Sequence, residues 1–426
     1  MPNRHGDRHD STLTLMKSNT KAVYVIGTMD TKGQELAYIG ECIRAAGAAT
    51  VLVDVGTQKP PQGKADVSRE TVAALHPQGK DAVLKLTDRG QAVTAMSQAL
   101  ERFLVQEFDA GKMAGVIGIG GTGGTALISP AFRALPIGVP KMVVSTVASG
   151  NTLPYVGTSD FAMMNSVVDV AGLNRVSRPI LGNAAHAIAG MALNSVSTTG
   201  DKPTAGLTMF GVTTPCVTQV REALEKQGWD CLVFHATGTG GQAMEKLTSS
   251  QKIQALLDLT TTEVADEVVG GVFRAGSARF DVLAEREIPC VMSLGALDMV
   301  NFGAKETVPE QFRNRKFHVH NAQVTLMRTT PEENRAFAQW MAPKLNKARG
   351  PLVLFIPEKG VSLIDAPGQP FHDPEADAAL FTELEKLFQP TAKRRIQRLP
   401  YHINDPEFAQ AVVQEFNKIT SDILKS

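Results

Sequence analysis

From Lys21 onward, short apolar runs alternate with stretches whose apolar residues recur every three or four positions. KAVYVIGT (21–28) reads as a strand, and Leu36, Ile39, Ile43 and Ala46 then fall on one face of a helix. TVLVDVG (50–56) reads as a second strand. After a polar, Pro-bearing stretch, Val93, Met96, Leu100, Phe103 and Leu104 mark one face of a long helix. AGVIGIG (114–120) and PKMVVST (140–146) are further strands, separated by a glycine loop and a short helix. Strands apolar on both faces and alternating with helices predict a mostly parallel sheet covered on both sides, a doubly wound α/β domain.

A helical stretch ending near Ser195 runs into STTGDKPTAG (197–206), whose small and polar residues read as a linker. The pattern then restarts. LTMFGVTTP (207–215), DCLVFHATG (230–238), EVADEVVGGV (263–272), IPCVMSLGA (288–296) and PLVLFIP (351–357) are strand candidates with helices between them. Thr330-Pro331-Glu332-Glu333 spells a capping box with proline at the first helical position, and Asp373-Pro374 and Asp405-Pro406 spell two aspartate N-caps. The last helix places Phe408, Val412, Phe416 and Ile419 on one face. The restart predicts two α/β domains, 21–200 and 201–426, behind a polar tail (1–20) expected to be mobile.

Composition narrows the function classes. Lys+Arg and Asp+Glu both number 43, a balance that disfavours a dedicated nucleic-acid or membrane-surface protein. No apolar run is long enough for a membrane span, and the polar first twenty residues do not read as a signal peptide. Cys42, Cys216, Cys231 and Cys290 are scattered and form no CxxC, so they read as small core residues in a reducing cytoplasm. There are 37 glycines against 18 Phe, 4 Tyr and 2 Trp, which points to many tight strand-to-helix turns.

Those turns carry the candidate chemistry. Parallel sheets bind ligands where strands end and helices begin, because helix N-termini present free N–H groups there. GTMDTKGQE (27–35) is one such turn: Thr31 and Gln34 fit a capping box, Asp30 suits a cation and Lys32 a phosphate. The same residues also suit a plain helix cap with solvated charges. GIGGTGGT (118–125) contains Gly118-x-Gly120-x-x-Gly123, but the next strand ends in Ser145 and Thr146, not in the acidic residue a dinucleotide fold needs. No GxxxxGK[ST] occurs. The loop therefore reads either as an anion-binding nest, with Gly120, Gly121, Gly123, Gly124 and the hydroxyls of Thr122 and Thr125 around a polyphosphate, or as glycines for tight packing. Ser149, Gly150 and Asn151 follow the next strand, and Asp54 ends its own strand where a ribose hydroxyl would sit.

In the second half, Thr213-Thr214-Pro215 opens a helix, and His235 precedes an imperfect second glycine motif, Gly238-x-Gly240-x-x-Ala243. Thr260–Glu263 and Asp266 are expected before a strand and Asp298 after one. His318 and His320 share a face if extended and, with Asp298 or Glu263, would ligate a divalent metal or act as acid and base. In the acidic cluster of LIDAPGQPFHDPEAD (363–377), Asp373 reads as a helix cap and Asp365, in the preceding loop, as the candidate catalytic carboxylate, while KRRIQR (393–398) reads as solvated surface. No GxSxG elbow or HExxH occurs, so covalent hydrolase chemistry has no support.

VYVIGTMDTKGQEL, AGVIGIGGTGGT, LPIGVPKMVVSTVASGNT, TMFGVTTPCVTQV, LVFHATGTGG, TTTEVADEVVGG, GALDMVNFG, HVHNAQVTLMRTT, LIDAPGQPFHDPEAD and LPYHINDPEFA together resemble the Tm-1-like ATP-binding family, over almost the whole chain after residue 20. The resemblance implies two Rossmann-like α/β domains, dimers, and ATP, and the phosphates of ATP would bring Mg²⁺ as their companion. It maps ATP onto Thr28, Asp30, Thr31 and Lys32, the GGTGGT loop, and the TVASGNT segment with Thr146, Ser149, Gly150 and Asn151. The family's plant member continues into a TIM-barrel-like domain, so a joint activity here would require a separate protein of that kind. The leading expectation is a cytoplasmic ATP-binding protein acting on a small-molecule substrate. A metal-dependent enzyme using His235, Asp298, His318 and His320, and an ATP-dependent regulatory binding module, are the alternatives.

Overall fold

The computed structural model describes residues 21–194 and 202–423. The polar tail 1–20 and the first half of the expected linker (197–201) lie outside the described residues. The chain divides into two compact units between 197 and 198.

The first unit runs β1 (Ala22–Gly27), α1 (Met29–Ala45), β2 (Thr50–Asp54), α2 (Arg69–Ala73), α3 (Asp81–Leu84), α4 (Arg89–Asp109), β3 (Met113–Gly120), α5 (Thr122–Ala134), β4 (Lys141–Ser145), α6 (Leu153–Val156), β5 (Ala162–Asn165) and α7 (Ser177–Leu193). Its five strands are all parallel, in the order β2-β1-β3-β4-β5. Alternation within β1 splits the core: Tyr24 and Ile26 join the cluster under α4 and α5, whereas Val23 and Val25 join the one under α1 and α7. Both faces being apolar and covered, the sheet is doubly wound.

The second unit runs β6 (Thr204–Met209), α8 (Thr214–Lys226), β7 (Asp230–His235), α9 (Thr239–Ser249), β8 (Ala255–Thr260), α10 (Glu263–Val269), α11 (Val282–Glu285), β9 (Cys290–Gly295), β10 (Met299–Phe302), β11 (Phe317–Asn321), β12 (Val324–Arg328), α12 (Pro331–Leu345), β13 (Leu352–Pro357), α13 (Pro374–Leu387), β14 (Arg394–Leu399) and α14 (Pro406–Ile419). Six parallel strands form a sheet ordered β14-β13-β9-β8-β6-β7, and β10-β12-β11 form a small antiparallel sheet. Met292 and Leu354 face the core under α12 and α13, while Val291, Val353 and Phe355 face the one under α8 and α14.

Several sequence expectations change. The segment 263–272 is not a strand: β8 is Ala255–Thr260, and Glu263 opens a helix. Asp258 puts a carboxylate in the middle of this apolar run, but it is buried and held by Thr208 and Arg279, so the strand passes through it. The expected linker already contains β6 from Thr204, and KRRIQR is largely the edge strand β14. The Thr330 capping box forms, with its hydroxyl accepting from Glu333 N–H (3.2 Å) and Glu333 accepting from Thr330 N–H (2.8 Å). Asp373 caps α13 through Ala376 N–H (3.1 Å), whereas Asp405 turns its carboxylate back to His402 N–H (2.8 Å).

Candidate functional site

In the first sheet the chain steps from β1 out to β2 and then crosses back to β3, so neighbouring β1 and β3 feed helices on opposite faces. Their carboxyl ends diverge into a crevice, the place where open α/β sheets bind ligands. The turns after both strands line one cleft of about 620 Å³.

The first turn runs from Thr28 to Lys32. Asp54 anchors it from below: one carboxylate oxygen accepts from Met29 N–H (3.0 Å) and Gly56 N–H (2.8 Å). The hydroxyls of Thr28 and Thr31 lie 3.0 Å apart, and the expected Thr31–Gln34 capping box gives way to an earlier start at Met29 with Thr28 as N-cap. Lys32 breaks helical geometry (φ −133°, ψ 24°) and donates to the Val170 carbonyl. Asp30 is nearly buried and accepts from the backbone N–H groups of Gln58 (3.1 Å) and Lys59 (3.3 Å), which brings the segment 57–59 to the cleft wall.

The second turn is the glycine loop, and its glycines divide into two kinds. A Cβ on Gly120 would lie 2.8 Å from the Cα of Gly124, so this pair exists for close packing. A Cβ on Gly121 or Gly123 would meet nothing nearer than Thr146 Oγ1 at 3.6 Å and Arg89 at 3.7 Å, so these two face open space. Gly121 is the N-cap of α5, whose first N–H groups have no intrahelical acceptor. Thr125 does not face the cleft: its buried hydroxyl donates to Gly121 O (2.9 Å) and pairs with Ser145 Oγ (2.6 Å), fixing the loop from beneath.

Of the expected binding residues, Thr28, Asp30, Thr31, Lys32, Gly121, Thr122, Gly123 and Gly124 line this cleft. Thr146 sits beside it. Asp54, Gly120 and Thr125 support it from below, Asp54 through backbone contacts in place of the expected ribose contact. Ser149, Gly150 and Asn151 are exposed in the loop after β4 and are not among its lining residues. Sequence reasoning missed Lys59, Arg89 and Asp169. Arg89 opens α4 behind the Asp88 N-cap, whose carboxylate accepts from Gln91 N–H (2.8 Å), and that signal was legible. Lys59 and Asp169 sit in irregular loops that only the fold brings to the cleft. Neither Lys59 nor Arg89 has an ion-pair partner among the described residues.

The second unit brings some expected residues together and separates others. Asp298 and Asp365 converge with Asp377 around the buried Arg328, which donates to Asp377 (2.8 Å) and more weakly to Asp365 (3.4 Å). Asp298 accepts from Ser362 Oγ (2.8 Å), and its other oxygen is buried without a partner. Burial pushes the Asp298 carboxyl up to about 7 despite Arg328; burial and the neighbouring carboxylates push Asp365 up to about 9. His235 is exposed at the end of the edge strand β7, its ring stacked on Phe210 at 5.3 Å. His318 rests edge-on against Phe371, and the register slips between Val319 and Asn321, so a bulge at the exposed His320 breaks the alternation that would align the two rings. Among the described residues no three His, Cys, Asp or Glu side chains are grouped to hold a metal, which removes the ligand set expected for a metal-dependent enzyme.

Fold and site together define a two-unit, doubly wound α/β protein with an open polar cleft at the switch point of its first sheet. Residues 21–197 match the N-terminal domain, and residues 202–420 the C-terminal domain, of uncharacterised protein family UPF0261. The chain belongs to that family. A UPF0261 protein of Rhizobium meliloti is 56% identical over 94% of this chain and its own full length. The ToMV resistance protein Tm-1 of Solanum lycopersicum is 49% identical over 96% of this chain and 57% of its own length, and the ToMV susceptible protein tm-1 is also 49% identical, over 95% and 56%. No helix among the described residues is long and apolar enough to cross a membrane.

Proposed function

We propose that the first unit binds ATP in the cleft between the Thr28–Lys32 turn and the Gly121–Gly124 loop. The observation that carries this reading is the meeting of two helix starts with Lys32, Lys59 and Arg89 around one space, with the two outward-facing glycines between them. Free N–H groups at α5 and three cations complement a polyphosphate, and a cleft of about 620 Å³ is of the size that nucleotide-scale ligands occupy. Asp30, Asp169 and the hydroxyls of Thr28, Thr31, Thr57 and Thr122 line the same cleft and supply the hard oxygen donors that suit Mg²⁺ beside phosphates. Homology to the Tm-1 proteins supports the reading through the resemblance set out above.

ATP-dependent action on a small molecule, a homodimeric and cytoplasmic protein, and cooperation with a TIM-barrel-like chain are parts of the same proposal that rest on the resemblance. The antiviral role is not carried over, since the resistance and susceptible proteins are equally similar to this chain. Isothermal titration with ATP, with and without Mg²⁺, tests the proposal. Saturable binding that Mg²⁺ tightens is expected; no heat at millimolar ATP would sink it.

A further inference from the structure

The second glycine motif, Gly238–Ala243, occupies the same kind of place as the first, after a strand and at the start of a helix. It is not open. One oxygen of Glu263 accepts from the N–H groups of Gly238 (2.7 Å) and Gly241 (3.1 Å), and the other accepts from Arg279 Nε (3.0 Å). Both side chains are buried, and Arg279 is itself held by Asp258 (2.8 Å) and Glu245 (2.7 Å). The glycines make room for this carboxylate. A Cβ on Gly241 would lie 2.1 Å from Glu263 Oε2, and Gly238 turns at φ +84°, a conformation other residues rarely adopt.

Two backbone N–H groups at the start of an eleven-residue helix, opposed by a fixed guanidinium, are the parts that elsewhere clasp a free carboxylate or phosphate. We infer that the Gly238–Gly241 loop is an oxyanion-binding nest whose ligand is the chain's own Glu263 carboxylate, and that truncation of Glu263 turns it into a site for a small external carboxylate. The N-terminal turn of α8 is likewise occupied by the chain itself, Cys216 N–H donating to Asn404 Oδ1 (3.3 Å). The two glycine motifs thus have different roles, one receptive to ligand and one filled from within.

Chemical rescue tests this. Glu263→Ala removes a fragment the size of acetate and leaves Arg279 and both N–H groups without that partner. In chloride the variant is expected to melt about 6–12 °C below the wild type. Acetate at matched ionic strength should restore at least half of that loss while moving the wild type hardly at all, because binding to the folded state alone raises stability. A variant as stable as the wild type, or one that melts at the same temperature in acetate and chloride, overturns the inference. Should Glu263→Ala not fold, Glu263→Gln is measured in the same salts. Its amide fills the nest but sets an N–H₂ against Arg279, so a lowered Tm without acetate rescue is expected. An unchanged Tm, or an acetate rescue, overturns the inference.

Discussion

Gly120 and Gly121 are neighbours with opposite tolerances, and the difference is decided by where an added Cβ would go. At Gly120 it would be driven against the backbone of Gly124, so Gly120→Ala is expected to cost about 1–3 kcal/mol in urea unfolding through overpacking. At Gly121 the backbone is extended (φ −78°) and the space is open. Gly121→Asp should therefore leave the denaturation midpoint almost unmoved while weakening ATP binding at least tenfold, since a carboxylate at the head of α5 opposes phosphate. Retained affinity in a folded Gly121→Asp protein would separate this loop from the ligand. His235 stands at the other extreme: exposed and stacked on one ring, its replacement by Ala should shift stability by no more than about 0.5 kcal/mol.

The segment 361–377 is held by a charge imbalance. Arg328 of β12 faces Asp365 from the loop and Asp377 from α13, with Asp298 from the β9–β10 turn nearby: three carboxylates and one cation. Asp298 and Asp365 are raised above their unfolded values, so the folded state retains protons that the unfolded chain releases. Their contribution is most favourable below about pH 4 and declines as pH rises through about 7 and then about 9. Urea midpoints measured from pH 5 to 9 should fall over that window. Asp365→Asn keeps an oxygen for Val361 N–H and removes the titration, so it should flatten the fall and stabilise by about 1–3 kcal/mol at pH 8. A wild-type midpoint that rises from pH 5 to 9 would contradict this account. The same elements show what local sequence conveys. The Thr330 box and the Asp373 cap were legible because a cap depends on three or four consecutive residues. The course of β8 was not, because Asp258 is admitted to the core only by Thr208 and Arg279, the former 50 residues away.

At the scale of the molecule, each unit has its own parallel sheet with an apolar core on either face, and ligand binding in one cleft should stabilise one unit. Calorimetry is expected to show ATP raising a transition that Gly121→Asp leaves unresponsive, by about 2.7 kcal/mol at a hundredfold excess over Kd, and leaving the rest of the heat capacity profile in place. A uniform shift of the whole profile would mean that the two units unfold together. Apolar periodicity by itself conveyed the doubly wound architecture of the two parallel sheets, though not the course of β8, because burial of alternating and helical stripes is a property of the nearest few residues and of water. Sequence by itself also marked the turns after β1 and β3 as candidate sites, through the free N–H groups any helix start leaves. It could not tell the two glycine motifs apart, for both are short, glycine-rich and set between strand and helix. Tertiary structure decided that, by bringing Arg89 and Lys59 to the first and Glu263 with Arg279 into the second. Charges act across space with no regard to chain separation, and only the folded path sets those distances.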